Sequence, residues 1–355
     1  MCEIMKSLYI LLLGISFIAC DSKSNIVWEN RENIVDVSSL INSLSIDTIQ
    51  LETDTSCLIG RILQLKITEE GIFILNDNPN VLYRFSIEGH FIRKIGMQGR
   101  GEGEYLAIGS FDIKQAMQEI VIFDTEECCF KYYNFDGIYL RTVRNKYAPY
   151  GDMVSLNDSI CALENYFQTS DIPNNPEILI LNNRGEIINT YFNRIAMIDK
   201  KSILPADGSS IYWSKIGKHH YYIPKGTDEL YELNEHGNNI KVSSLNIVSK
   251  MFPLDITNEE YKKQKHLKYG PIESLVVTEN GMFYASVNYN DRPLEFIGTI
   301  KEGIKIAGRF VFTDNTFPCC TPLTSYKNYF VGIERNVDEY DANPIIVYFK
   351  YKVLA

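Results

Sequence analysis

The stretch Ile95 to Tyr105, IGMQGRGEGEY, sets four glycines within eight residues: Gly96, Gly99, Gly101 and Gly103. Loops this dense in glycine can cradle phosphates, because backbone N–H groups approach an anion closely where no Cβ intervenes. Two signatures of that chemistry can be read directly. A P-loop closes on Lys-Ser or Lys-Thr and opens a helix, and neither pair follows here. The dinucleotide fingerprint G-x-G-x-x-G joins a strand to a helix; after Gly99 and Gly101 the next glycine is Gly103, one residue too early. Glu102 and Glu104 would also repel a phosphate. The stretch reads first as a connector that needs positive φ at several positions. A second reading has Arg100, Glu102, Glu104 and Tyr105 present charge to a ligand.

A further group with chemical capacity is YWSKIGKHHYY, residues 212–222. Tyr212, Trp213 and His219 are residue types that stack on and hydrogen-bond to sugars, and such aromatics equally fill cores. His90 and His236 fall in turn sequences, IEGH and NEHG. The nucleophile elbow G-x-S-x-G is absent. Six cysteines lie in the body (Cys57, Cys128, Cys129, Cys161, Cys319, Cys320), and neither ECCF nor PCCT has the CxxC spacing of a zinc site. Six cysteines allow fifteen disulfide connectivities, and the sequence does not choose among them. The acidic turns LNDNPN and FDTEE offer oxygen ligands for calcium, but without the D-x-[DN]-x-[DN]-G pattern of a calcium loop. No catalytic residue and no cofactor is indicated; calcium is the metal with candidate ligands.

The elements that position these residues are strands. Short runs rich in Ile, Val, Tyr and Phe alternate with turn signals, and helical periodicity is nearly absent. The runs repeat. RILQLKITEEGIFILNDNPNVLYRFSIEGHFIRKIG holds four strands, and GSFDIKQAMQEIVIFDTEECCFKYYNFDGIYLRTV repeats their order. Six such units begin near residues 60, 109, 151, 211, 270 and 321. Four antiparallel strands repeated about every 40–50 residues predict an all-β fold, a six-bladed β-propeller of four-stranded blades. The sixth unit is one strand short, and SIDTIQLE, Ser45 to Glu52, is a strand too many. The ring is therefore expected to close by this N-terminal strand joining the last blade, which removes an exposed edge.

The N-terminus predicts export. Lys6 precedes an apolar run from Leu8 to Ala19, too short to span a bilayer and of the length of a signal peptide. The run ends in FIAC, which is similar to the lipobox of bacterial lipoproteins, with Phe17 in place of the usual leucine. Residues 1–19 are accordingly expected to be a signal peptide, 20–44 a lipidated Cys20 and tether, and 45–355 the propeller. The net charge is −10. Residues 1–19 hold one acid and one base, Glu3 and Lys6, so their removal leaves that charge unchanged. An acidic chain without a basic patch argues against nucleic acid, whose binding rests on Lys and Arg.

Together, FIAC, the unit ending FSIEGHFIRKIG and the loop GMQGRGEGEY resemble the six-bladed β-propeller lipoproteins of Gram-negative bacteria, related to NHL-type repeats. That family shows G-x-G-P-G-E-Y/F at the loop; here Glu102 stands where proline is usual. The resemblance implies a lipid-anchored protein of the cell envelope, at the outer membrane or cell surface, and brings no catalytic residues. The expected role is a binding or scaffold module, acting as a monomer, for a glycan, a peptide or an envelope protein. The alternative is a lyase or hydrolase acting on a carbohydrate or related envelope substrate, with a scattered channel site and calcium assistance.

Overall fold

The strand Gly71–Asn76 is buried along its whole length, and its apolar residues divide by a period of two. Ile72 and Ile74 enter one core with Leu65, Tyr83 and Tyr348; Phe73 and Leu75 enter another with Phe111, Ile122 and Tyr133. Successive side chains point to opposite faces, so a strand apolar on both faces needs a sheet on each side. The next sheet continues the rule. Ile120 and Ile122 share the second core, while Val121 and Phe123 join a third with Leu163 and Leu179. In the sheet after that, Leu179 and Leu181 face the third core, and Ile178 and Ile180 a fourth with Tyr222 and Leu233. Sheets stacked face to face in this way, each twisted against the last, run around a ring.

The computed structural model describes residues 34–41, 45–145, 151–165, 172, 176–193, 213–224, 227–247, 260, 263, 272–290, 292–311, 321–335 and 342–352. It shows the six-bladed all-β propeller with nearly no helix. The blades span residues 62–95, 108–144, 153–193, 214–244, 272–311 and 324–349. The first strands are Ile62–Thr68, Ile108–Lys114, Met153–Ser155, Ser214–Ile216, Ile272–Val277 and Thr324–Tyr326. These lie innermost and approach one another around the axis. The sixth blade carries Asp47–Gln50 as a fourth strand, antiparallel to Ile345–Phe349, with Asp47 opposite Tyr348 and Gln50 opposite Ile345.

The N-terminal boundary needs correction. Residues 34–41, read above as tether, are packed into the body. Ile34–Asp36 adds a fifth, parallel strand to the outer edge of blade 5, with Ile34 opposite Arg309. A single 3-10 turn follows, capped by Asp36, whose Oδ1 accepts the Ser38 N–H at 3.0 Å. Val37 and Ile41 are buried with Tyr284, Phe349 and Tyr351. Ile41 forms a bridge to Tyr351, and Lys352 N–H donates to Leu40 O at 2.7 Å. Val37, Leu40 and Ile41 thus fill the seam between blades 5 and 6, while Ile34 stays exposed on the edge strand.

The turns between third and fourth strands repeat one design. Asn134 N–H donates to Ile138 O, and Gly137 N–H donates back to Asn134 O, both at 2.9 Å. Ser86 with Gly89, Asn182 with Gly185 and Asn234 with Gly237 do the same. The glycine is dictated twice in blade 3. Gly185 has φ +76, and a Cβ there would lie 2.7 Å from Arg144 O on the outer strand of blade 2. The hairpin therefore also locks one blade onto its predecessor.

Candidate functional site

Antiparallel strands alternate in direction. Connectors between blades and turns between second and third strands therefore share one end of the ring. Turns within the first and last strand pairs share the other end.

The glycine-rich connector lies at the first end, and it cradles its own carboxylate. Gly101 N–H donates to Glu104 Oε2 at 2.7 Å. Gly99 N–H donates to Tyr105 O at 2.9 Å, and Tyr105 N–H to Met97 O at 3.0 Å. A Cβ at Gly99 would collide with the Glu104 carboxylate. Tyr105 is 1% exposed and sits in the core between blades 1 and 2, so its side chain faces no ligand. Tyr133 Oη donates to Gly103 O at 3.0 Å and ties the loop to blade 2. Of the four residues proposed from the sequence, Glu104 and Tyr105 are built into the loop and its core, and Arg100 and Glu102 remain exposed.

The aromatic and histidine group does not converge either. Trp213 packs on Tyr222, ring centroids 4.8 Å apart, in the core between blades 3 and 4. His219 faces the other way along Ser214–Tyr222, and its Nδ1 lies 2.7 Å from Glu232 Oε1. Tyr221 Oη donates to the other Glu232 oxygen at 3.3 Å. Tyr212 and Cys20 lie outside the described residues, as do Cys319 and Cys320. Cys57, Cys128, Cys129 and Cys161 are free thiols.

The turns considered for calcium already hold cations from the chain. Asp124, Glu127 and Cys129 bring ligand atoms within 4.8 Å of one another. Lys131 Nζ donates to Glu127 Oε2 at 2.5 Å and lies 3.8 Å from Asp124 Oδ2, so an ammonium occupies the cluster. Asp77 pairs with Arg61 at 2.7 Å.

Polar groups from separate blades do converge, but at the axis and in two tiers. In the tier nearer the interblade connectors, Gln64 Nε2 donates to Asp152 Oδ1 at 2.8 Å and Gln64 Oε1 accepts the Phe111 N–H at 3.0 Å. Burial pushes the Asp152 carboxyl up to about 6; Lys66 opposes this, and Glu164 and Asp112 add to it. The second tier follows along the same inner segments, with Lys66 two residues past Gln64, Asp112 one past Phe111 and Ser155 three past Asp152. Lys66 Nζ donates to Asp112 Oδ1 at 2.8 Å, and Asp112 Oδ2 accepts the Ser155 N–H at 2.6 Å. Lys215 Nζ lies 3.9 Å from the same Oδ2, with its side chain 40% exposed. Burial alone would raise the Asp112 carboxyl. The charges of Lys215 and Lys66, with the hydrogen bonds from Lys66 and Ser155, outweigh it and hold the group below the usual carboxylate range.

His220 pairs with Lys215 across the first two strands of blade 4 and is fully buried. Neither of its ring nitrogens has a hydrogen-bond partner among the described residues. Burial, then the charge of Lys215, pushes it down to about 3, so the ring is neutral at neutral pH. The sequence reading singled out the first histidine of the HH pair; the second is the one at the axis. A signal for part of the cluster was present in the period-two pattern. Gln64 and Lys66, and Asp112 with Lys114, are polar residues at alternate positions of innermost strands, where apolar residues would otherwise pack.

Several solved structures share this architecture. A Bacteroides fragilis protein described as a candidate exported protein matches with a TM-score of 0.70 at 16% identity, covering 91% of this chain and 98% of its own. A Bacteroides vulgatus member of the family DUF4221 matches with a TM-score of 0.54 at 11% identity, covering 88% and 99%. Virginiamycin B lyase from Staphylococcus aureus matches at a TM-score of 0.45 and 8% identity, covering 86% and 98%, a likeness too remote to bear on activity. At these identities the likeness is one of fold. No curated protein matches the chain by sequence. The profile described as a domain of unknown function, DUF4934, spans residues 25–350, and the chain belongs to that family.

Proposed function

We propose that this chain is an exported binding or scaffold module, held at the cell envelope by a lipidated Cys20, that presents its ring axis to a glycan, a peptide or an envelope protein. The axial convergence carries the reading. Gln64, Lys66, Asp112, Asp152, Lys215 and His220 come from four blades, and Lys215 is open to solvent there. Charged groups are costly to gather in one place unless they satisfy each other or a ligand. Here the carboxylates are engaged by neighbouring blades, while His220 has no hydrogen-bond partner among the described residues. The module works without a cofactor and as a single copy.

The test is a thermal-shift screen of the full chain in detergent against calcium, EDTA, oligosaccharides and cell-wall fragments. A ligand at about 100 times its dissociation constant adds about 2.7 kcal/mol of stability. A shift with a sugar or wall fragment supports the reading; no shift with any of them points instead to a protein partner. For the tether, Cys20→Ala is expected to move the protein out of the membrane fraction, and retention there would contradict lipidation.

One observation favours the second reading, an envelope-directed lyase or hydrolase. The Lys215 ammonium, partly exposed at the axis, is a donor placed to stabilise negative charge that develops on a bound polysaccharide. Release of new chain ends from an envelope polysaccharide, lost in Lys215→Gln, would favour it over the binding module.

A further inference from the structure

The second axial tier is unbalanced in charge. Two ammonium groups, Lys66 and Lys215, share one carboxylate, Asp112, whose second oxygen is also taken by the Ser155 amide. Asp152 and Glu164 belong to the other tier; Asp152 is engaged by Gln64. Lys66 is the closer partner of Asp112, at 2.8 Å against 3.9 Å for Lys215. Lys215 is therefore the less satisfied cation and the more exposed one, with its side chain 40% exposed against 19% for Lys66.

His220 stands opposite Lys215 in the strand register. It is fully buried, and neither ring nitrogen has a hydrogen-bond partner among the described residues. A neutral imidazole carries one N–H donor and one bare nitrogen, and leaving both without partners in a buried place is unfavourable. Two ammonium groups, Lys215 and Lys66, act on the ring against the one carboxylate of Asp112. An imidazole N–H beside an ammonium in such a field is the donor set of an anion site.

We propose that Lys215 and His220 form the binding site for a single carboxylate group on a small ligand, an acidic sugar being the type case. The proposal rests on the axis being the ligand-facing part of the molecule. A carboxylate fits better than a phosphate because the tier has one surplus positive charge. A monoanion balances it; a dianion would leave negative charge uncompensated beside Asp112. Lys215 donates to one ligand oxygen and His220 to the other. The surrounding ring then excludes water and strengthens both bonds.

Isothermal titration of the full chain in detergent tests this with three probes: galacturonate, its neutral counterpart galactose, and inorganic phosphate. Galacturonate is expected to bind about tenfold or more tighter than either of the others. Lys215→Gln should weaken it by about tenfold or more, as expected for a lost charge-assisted hydrogen bond. Lys301→Gln, an exposed lysine of blade 5, should leave it unchanged. Because a substitution at buried His220 risks the fold, that residue is read by imidazole NMR of the unaltered chain. One buried, non-titrating ring should shift on adding galacturonate and not on adding galactose. Equal binding of galactose and galacturonate, or unchanged affinity in Lys215→Gln, overturns the carboxylate assignment while leaving axial binding intact. Failure of galacturonate to bind at all overturns the assignment as well. If envelope extract also leaves Lys215 unprotected from chemical labelling, the binding reading falls with it.

Discussion

Lys66 of blade 1 donates to Asp112 of blade 2 at 2.8 Å, and the other oxygen of that carboxylate accepts the Ser155 N–H of blade 3 at 2.6 Å. One side chain thus fastens three consecutive blades at the axis. Removing one partner of a buried pair leaves the other charge uncompensated, at about 3–5 kcal/mol. Asp112→Ala is expected to lose stability in that range and Asp112→Asn less, because the amide oxygen still accepts from Ser155. Urea unfolding with an unchanged slope measures it; a loss below about 1 kcal/mol would show that the link contributes little.

Asp152 gives a pH signature of its own. Its carboxyl is raised from the model-peptide value of 3.8 to about 6 in the folded chain. Between these values the folded state binds more protons than the unfolded one, so its contribution to stability falls as pH rises through the window. Asp152→Asn removes the ionisation and keeps an oxygen to accept from Gln64. Relative to the unsubstituted chain, this variant should gain up to about 3 kcal/mol between pH 4 and pH 7. Melting curves across that range decide it; a difference independent of pH would mean that Asp152 ionises normally.

Two glycines separate backbone strain from contact. Gly185 has φ +76 with Arg144 O 2.7 Å from the position of a Cβ, whereas Gly217 has φ +56 and nothing within 4 Å. Gly217→Ala should cost about 1 kcal/mol for the left-handed backbone alone. Gly185→Ala should cost clearly more, because the blade 2 strand must move as well. Equal losses in chemical denaturation would show that the hairpin does not bear on the neighbouring blade.

The N-terminal seam is part of the folding unit. Ile41→Ala removes a fully enclosed side chain from the core between blades 5 and 6 and should cost about 2–5 kcal/mol. Ile34, 72% exposed on the added strand, should tolerate alanine within about 0.5 kcal/mol. If the two substitutions cost the same, residues 34–41 are a loose tether after all.

The blades were legible because each repeats the same local chemistry. The Asn-x-x-Gly turns and the doubly apolar second strands are readable one unit at a time, since strand pairing here is mostly between neighbours in sequence. Packing of residues 34–41 was less legible, because ENIVDVSSL has too short a period to reveal which seam it fills. The axial cluster was hidden for a different reason. Lys66 and Lys215 are 149 positions apart in the chain, and only closure of the ring makes them neighbours of Asp112. In the glycine-rich loop the types were read and the direction missed. Its backbone folds around Glu104 and turns Tyr105 inward, and no spacing rule distinguishes an inward from an outward tyrosine.

Labelling of lysines in the full chain, with and without solubilised envelope extract, tests the central claim most directly. Lys215 is exposed enough to react, and Lys301 is an exposed reference remote from the axis. If the ring axis receives the ligand, extract should protect Lys215 and leave Lys301 as reactive as before. Equal reactivity of Lys215 with and without extract would contradict an axial binding site.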